Sequence, residues 1–238
     1  MKDILFDLPV GFIAHRGFSV IETENTNEAF LKAANKRFLG IECDIHLTKD
    51  QRFVVHHDES TKRLADCEVV IAESTLKDLR KLKLKDKESG EYETSLVIPT
   101  FEEYLTICKK HQKIAVIEMK SEFSSNDVDM MLKVIDEFNY RDKAIIISFH
   151  LNSLILLREK DEKISIQYLV SEYKEEVVET CKKYRFDVDI YYRGINKKII
   201  DIFHDENIKI NVWTVNDYEI IKDLVLKGVD YITTDGIL

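Results

Sequence analysis

Glu42 and Asp44, in the stretch GIECDIHLTKDQRFVVHHD from Gly40 to Asp58, have the residue types and spacing for chemistry. Read as a strand, the stretch puts Glu42, Asp44 and His46 on one side and Ile41, Cys43 and Ile45 on the other, because strand side chains alternate with a period of two. The two carboxylates then stand one strand repeat apart, roughly 7 Å. Lys49-Asp50-Gln51 reads as a tight turn, and Phe53-Val54-Val55 as a returning strand that ends in His56-His57-Asp58. Two carboxylates on one face, folded back near a histidine, are what a hard divalent cation and a general acid or base require. The same E-x-D also fits the solvent face of an antiparallel edge strand.

More residues of the same kind recur along the chain. Glu118 and Lys120, in KIAVIEMK, share a strand face as Glu42 and Asp44 do. Glu42, Asp44 and Glu118 together offer three carboxylates to one cation, Mg²⁺ or Ca²⁺; both take oxygen ligands, and cavity size selects between them. Histidine is not needed among such ligands, which frees His15 and His57 for proton transfer. Arg16 and Lys120 can hold an anion, the guanidinium through its fork and the ammonium as a point charge. Cation, Arg, Lys and two His describe a site for phosphoryl transfer or phosphodiester cleavage.

Each of these residues also has a plainer reading. His15 could be a core histidine satisfied by backbone, although Arg16-Gly17 after it speak for a loop. His56 points opposite to His57 and reads as structural. His46 falls past the end of the strand and reads as a loop residue. His111, His150 and His204 read as surface or supporting positions. Trp213, the only tryptophan, fits core or a ligand platform, and Lys120 is a solvent lysine unless it pairs with Glu118.

Strand-like runs that alternate with amphipathic segments must position these residues. Val10–His15 is followed by a helix over Ala29, Phe30, Ala33 and Ala34, capped by Asn25 or Thr26. Thr100 with Glu103 forms a capping box for a helix carrying Leu105, Ile107 and Cys108. Strand-like runs then follow at 113–119, 144–149, 164–170, 186–190, 208–215 and 231–234, with amphipathic segments such as 128–138 and 218–226 between them. This alternation implies parallel βαβ units. The link from Asp44 to Val54 is too short for a parallel crossover, so that pair is an antiparallel hairpin. Setting the returning strand aside leaves eight, an irregular (β/α)8 TIM barrel.

Active sites of such barrels form at the C-terminal ends of the strands, where these polar residues collect along with Ser148, Thr214, Asn216 and Asp235. Residues 59–98 read as a small cap insertion over the barrel mouth, with Leu76, Leu79, Leu82 and Leu84 marking a lysine-rich helical piece that is a solvated face. The whole chain, 1–238, reads as a single barrel domain. It stops at Leu238, just after the last strand, so the closing helix is missing or replaced. The uncovered strand then needs the N-terminal segment or a second subunit, a homo-oligomer, as its cover.

Composition narrows the class. A 45% hydrophobic chain of 238 residues with only 2 Pro and 7 Gly can bury a full core. The net charge of −9 excludes a general binder of nucleic acid or anionic membranes, which needs a basic footprint. An anionic substrate remains open if a bound cation inverts the local field. Cys43, Cys67, Cys108 and Cys181 are scattered without a C-x-x-C, which fits a reduced, cytoplasmic setting. Asp3 and Asp7 interrupt the N-terminal apolar run, a poor signal peptide, and no apolar run approaches the ~20 residues of a bilayer span.

These motifs in order resemble the glycerophosphodiester phosphodiesterases, relatives of the phosphatidylinositol-specific phospholipases C. The resemblance rests on HRG at 15–17, ENT at 24–26, E-x-D at 42–44 with LTKD at 47–50, V-V-x-H-D at 54–58, Arg63, IPTFEEYL at 98–105, IEMK at 117–120, ISF at 147–149, VWTVN at 212–216 and ITTD at 232–235. It implies an irregular barrel with a cap inserted after H-D, and hydrolysis of a small-molecule glycerophosphodiester to glycerol 3-phosphate and an alcohol with one divalent cation. By the resemblance Glu42, Asp44 and Glu118 are metal ligands, His15 and His57 the general acid–base pair, and Arg16 and Lys120 phosphate contacts. Trp213, in VWTVN, joins them as a substrate-contact candidate.

The family mechanism has a hydroxyl of the substrate attack phosphorus while one histidine takes its proton and the other protonates the leaving alcohol; water then opens the cyclic phosphate. Three positions depart from the family pattern: Thr23 where proline is usual, Gln51 where a turn glycine is common, and the lost last helix. Other classes stay in view. A lysophospholipase D or lipid phospholipase is opposed by the acidic charge and the lack of a membrane-docking helix. A barrel that only binds a phosphate ligand would have no use for two positioned histidines.

Overall fold

The computed structural model describes residues 7–236. In chain order its elements are β1 (Gly11–Ala14), α1 (Asn27–Ala34), β2 (Gly40–Leu47), β3 (Phe53–Val55), α2 (Leu76–Leu79), β4 (Leu84–Lys85), β5 (Tyr92–Glu93) and α3 (Phe101–Lys110). The alternation then becomes regular: β6 (Ile114–Met119), α4 (Ser125–Glu137), β7 (Ala144–Ser148), α5 (Leu151–Lys160), β8 (Ser165–Val170), α6 (Glu175–Tyr184), β9 (Asp187–Tyr191), α7 (Lys197–Asp205), β10 (Ile210–Trp213), α8 (Tyr218–Lys227) and β11 (Tyr231–Thr234). β1 pairs in parallel with both β2 and β11, so the eight parallel strands close into a TIM barrel. β3 stands outside the closed ring, antiparallel to β2 with Ile45 opposite Val55, the short hairpin that the sequence requires.

Alternation along the strands divides two apolar regions. Ile41, Cys43, Ile45, Ile117 and Met119 point outward into the main core with the helices, whereas Ile13, Val116, Ile145, Ile147 and Leu169 fill the lumen. Helix ends are set by local chemistry. Thr26, not Asn25, caps α1, its hydroxyl accepting from Ala29 N. The Thr100–Glu103 capping box opens α3 as expected, with reciprocal bonds of 2.9 and 3.2 Å.

Tyr104 on α3 is fully buried, its hydroxyl 2.6 Å from the Ile41 carbonyl oxygen and 3.2 Å from that of Val116. This ties one helix to both strands that carry the acidic residues. Tyr104→Phe should therefore lower the unfolding free energy by about 1 kcal/mol, read as a shifted urea midpoint at constant slope. An unchanged midpoint would show that the tie contributes nothing.

Two expectations need correction. The lysine-rich piece of the insertion is helical for one turn only, α2. Leu84 instead lies in the β4–β5 hairpin, whose turn is held by Asp86 accepting from Glu88 N and Ser89 N. Leu79 and Leu84 are drawn into a small core with Val54, Ala65, Ile71, Leu96 and Ile98, which overrides helical spacing. The hairpin is fastened to the loop after β1: Thr23 Oγ1 donates to the Lys85 carbonyl oxygen at 2.7 Å, and the Lys87 ammonium donates to that of Ser19.

The last strand does not present the apolar surface expected of it. Ile232 on β11 and Phe12 on β1 are 0% and 4% exposed, with Leu8 and Val10 packed against the same core. This removes the reason the sequence offered for a second subunit as cover. Of the N-terminal segment, residues 1–6 lie outside the described residues. Gln51 takes the left-handed φ of 57° that a glycine would take in that turn.

Candidate active site

The C-terminal ends of β2 and β6 bring three carboxylates together. Asp44 and Glu118 lie opposite each other in the parallel register, and oxygens of Glu42, Asp44 and Glu118 all lie within 4.8 Å of one another. Glu42 and Asp44 are 2% and 1% exposed, and Glu42 Oε1 and Asp44 Oδ1 accept no hydrogen bond. Burial and the like charges of Asp44 and Glu118 push Glu42 well above the usual carboxylate range. Burial and Asp44 push Glu118 up to about 7. Asp44 is held low despite its burial, because Lys120 and Arg16 outweigh it. Three converging carboxylates with unpartnered oxygens fit a hard divalent cation, whose charge would satisfy them together.

The loop after β1 supplies the facing wall. Gly17 has φ 82°, and a Cβ there would meet the Ala29 backbone at 2.6 Å, so H-R-G requires its glycine. Arg16 takes a left-handed φ of 54°, which turns its N–H to donate to Glu42 Oε2 at 2.7 Å. Its guanidinium donates to Glu24 Oε1 at 2.8 Å and lies 3.3 Å from Asp44. Glu24 also receives two bonds from Arg63 of the insertion, each 2.8 Å. Despite burial, Arg63 and Arg16 together hold Glu24 down to about 2. Asn25 Nδ2 donates to Asp44 Oδ2 at 2.7 Å. Lys120 lies 2.9 Å from Glu118 and 3.5 Å from Asp44.

Both histidines are backed by carboxylates. His15 Nδ1 is 2.7 Å from Asp235 Oδ1, and His57 Nδ1 is 2.6 Å from Asp58 Oδ1. Asp235 is braced by Asn216 and Ser19, Asp58 by Arg63. Such a partner fixes Nδ1 as the protonated nitrogen and leaves Nε2 free to exchange a proton. Burial, with Arg16 and Lys120 close by, lowers His57 below the ordinary histidine range.

A cavity of about 110 Å³ joins these groups: His15, Arg16, Glu42, His57, Glu118 and Lys120 all line it. Asp44 adjoins them through Lys120 and Glu118. Its other wall is apolar. Trp213 packs edge-on against Phe149 at 5.7 Å and near Tyr191 at 5.4 Å, and Phe149 is 43% exposed at the rim. A larger hollow of about 410 Å³ at the other end of the barrel offers less, since Arg158 there spends its donors on the Tyr184, Asp161 and Arg185 carbonyls.

All eight site residues picked from sequence thus converge, Trp213 among them as part of the cavity wall. His46 differs from expectation: it lies inside β2, 6% exposed, with Nε2 3.1 Å from the His57 carbonyl oxygen, because the strand continues to Leu47. His56 is buried as a structural residue, and His150 Nε2 lies 3.3 Å from the Lys120 carbonyl oxygen. Sequence reasoning puts Asp235 among the polar strand ends without a partner, and gives no role to Glu24, Asn25 or Asp189 at the site. Asp189 carries a signal: in Phe186–Ile190 it alternates with Val188 and Ile190, which places it inward.

Residues 15–238 match the model of the glycerophosphoryl diester phosphodiesterase family. A Bacillus altitudinis protein named glycerophosphodiester phosphodiesterase is 30% identical over 230 residues, 93% of each chain. One of the same name from Caldanaerobacter subterraneus is 30% identical over 233 residues, 94% of this chain and 93% of that one. A glycerophosphodiester phosphodiesterase structure from Thermotoga maritima shares 32% identity at a TM-score of 0.76, covering 95% of this chain and 94% of that one. An Oleispira antarctica phosphodiesterase, solved with its product sn-glycerol-3-phosphate, superposes at a TM-score of 0.88 with 23% identity, covering 96% and 94%, a likeness of fold.

Proposed function

The chain belongs to the glycerophosphoryl diester phosphodiesterase family, and from that membership we propose that it hydrolyses small glycerophosphodiesters to glycerol 3-phosphate and an alcohol. The observation that carries this is the meeting, around one cavity, of Glu42 and Glu118, with Asp44 adjoining them, and of two carboxylate-backed histidines and two cations. Glu42, Asp44 and Glu118 would hold one divalent ion, Mg²⁺ or Ca²⁺. When bound, the ion supplies positive charge to phosphoryl oxygens as negative charge builds on them.

The chain's own residues do the rest. Arg16 and Lys120 bind the phosphate, one by its fork and one as a point charge. A neutral histidine takes the proton of the substrate's neighbouring hydroxyl at Nε2 as that oxygen attacks phosphorus. The other, protonated at Nε2, gives its proton to the departing alcohol oxygen, and the two exchange roles when water opens the cyclic phosphate. Asp235 and Asp58 keep each ring turned so that Nε2 faces the substrate. Trp213 and Phe149 shield one wall from water.

The same reading takes the 238 residues as one domain, with 59–98 as an insertion that reaches the site through Arg63. The four cysteines are free, as a reducing compartment requires, and a cytoplasmic setting belongs to the proposal. No helix among the described residues is long and apolar enough to cross a membrane.

An NADH-coupled assay for glycerol 3-phosphate released from glycerophosphocholine, with and without EDTA, tests the activity. Release that EDTA abolishes and Mg²⁺ or Ca²⁺ restores is expected; no release with any metal sinks the proposal. Glu24→Gln tests the anion clamp. It weakens the contacts that hold Arg16, so kcat/KM should fall by roughly tenfold to a hundredfold, mostly through KM. An unchanged KM would remove Arg16 from substrate binding.

A further inference from the structure

The carboxylate trio leaves one buried acceptor at this site unexplained. Glu42 Oε1 and Asp44 Oδ1 face the cation position, but Asp189 Oδ1 has no hydrogen-bond partner either. Asp189 is 1% exposed on β9 and lines the same cavity, across the lumen from the histidines. Of the donors around it, the Asn211 side chain reaches the carboxyl, yet Oδ1 itself is left open. Asn211 Nδ2 donates to Gln167 Oε1 at 3.1 Å, and Thr233 Oγ1 donates to Asn211 Oδ1 at 3.1 Å. The Trp213 indole N–H donates to the main-chain oxygen of Asp189 at 3.3 Å, not to its carboxyl. Nor does Asp189 extend the cation site: among the described residues, the acidic oxygens that converge are those of Glu42, Asp44 and Glu118.

A buried acceptor with no donor is costly unless a ligand supplies one. Burial and the charge of Glu118 push Asp189 well above the usual carboxylate range. In a lumen also lined by Ile147 and Leu169, the donor that suits this open oxygen is an uncharged one, a hydroxyl. The orientation of substrate follows from the other walls. On the phosphodiesterase reading, phosphate would lie with Arg16 and Lys120, the leaving alcohol would exit past the exposed edge of Phe149, and the attacking hydroxyl would lie between phosphorus and a histidine. The hydroxyl left to reach into the lumen is the one on the glycerol carbon farthest from phosphorus.

We propose that Asp189 is a specificity residue, its Oδ1 accepting a hydrogen bond from the distal hydroxyl of the substrate's glycerol half. The assignment rests on the phosphodiesterase reading above. It makes the barrel floor select for a polyol, independently of the alcohol that leaves.

The test compares glycerophosphocholine with its analogue lacking that hydroxyl, propane-1,2-diol phosphocholine, in the metal-loaded enzyme. Wild type should favour the full substrate in kcat/KM by about tenfold or more, and D189A should bring the ratio to within about threefold. D189N, which keeps an acceptor oxygen and side-chain volume, should retain most of the preference. A wild type that does not discriminate, or a D189A that loses activity equally on both substrates, overturns the proposal. If neither substrate is turned over, the phosphodiesterase reading has failed by itself. Calorimetric binding of glycerol 3-phosphate against propane-1,2-diol phosphate then decides the role of Asp189 by the same ratio in wild type and variants.

Discussion

His57→Ala should lower kcat by about a thousandfold while the protein still binds its divalent cation, and Glu118→Ala should lose cation binding outright. The two residues face the same cavity but, on the proposed mechanism, do different work. His57 is oriented by Asp58 at 2.6 Å and lies outside the carboxylate trio, so removing its ring takes away a proton carrier and no ligand. Glu118 is one of three carboxylates, and the loss of one charge in three weakens a hard-cation site sharply. It also frees Lys120, which would then pair with Asp44 alone. Glu42→Ala should behave like Glu118→Ala. Calorimetric titration with Mg²⁺ and Ca²⁺ alongside turnover separates the roles. Equal loss of cation binding in all three variants would refute the division.

That division is legible in the amino-acid sequence because it depends on strand alternation. Glu42, Asp44, Glu118 and Lys120 come from two strands whose period of two fixes which side chains share a face, and the barrel register sets Asp44 against Glu118. The eight parallel strands and the antiparallel return of β3 follow from run spacing and link length in the same way. Residues whose role depends on loop conformation are not legible. Asn25 and Thr26 read equally as the helix cap, but a left-handed φ of 55° turns Asn25 to Asp44 and leaves the cap to Thr26.

Glu24 and Arg63 meet across 39 positions, a contact between the loop after β1 and the start of the insertion that local spacing does not foretell. Asp235 reaches His15 across 220 positions, a contact that only barrel closure creates. His46 departs from its loop reading for a smaller reason. Strand ends are soft in sequence, and Leu47 continues the pairing with Phe53.

The carboxylate trio should also couple cation binding to pH. Glu118 is raised from the ordinary 4.5 to about 7 by burial and Asp44, and Glu42 is raised as well. A carboxyl whose pKa is higher folded than unfolded binds more protons in the native state between those two values. Its contribution to stability is complete below 4.5 and is lost as pH rises through about 7. His56, lowered to about 4 by burial, pulls the other way over an overlapping window, since its native state binds fewer protons than the unfolded chain.

The absolute stability curve therefore mixes opposing signs, whereas the difference between cation-loaded and EDTA-treated protein cancels His56 and isolates the trio. A cation must displace whatever protons Glu42 and Glu118 carry, so its affinity climbs with pH until they are ionised. At a cation concentration about a hundred times its dissociation constant, the stabilisation is about 2.7 kcal/mol. For a chain of this size that is roughly 5–10 °C in Tm. The gain in Tm from added Mg²⁺ should be small at pH 5, climb as pH rises, and approach that figure at pH 8, levelling off as pH passes about 7, where Glu118 titrates. In Glu118→Gln the remaining gain should be small and nearly flat with pH. A wild-type gain that is the same at pH 5.5 and pH 8 would mean that the ion does not compete with protons for these carboxylates, and the trio would lose its place as the cation site.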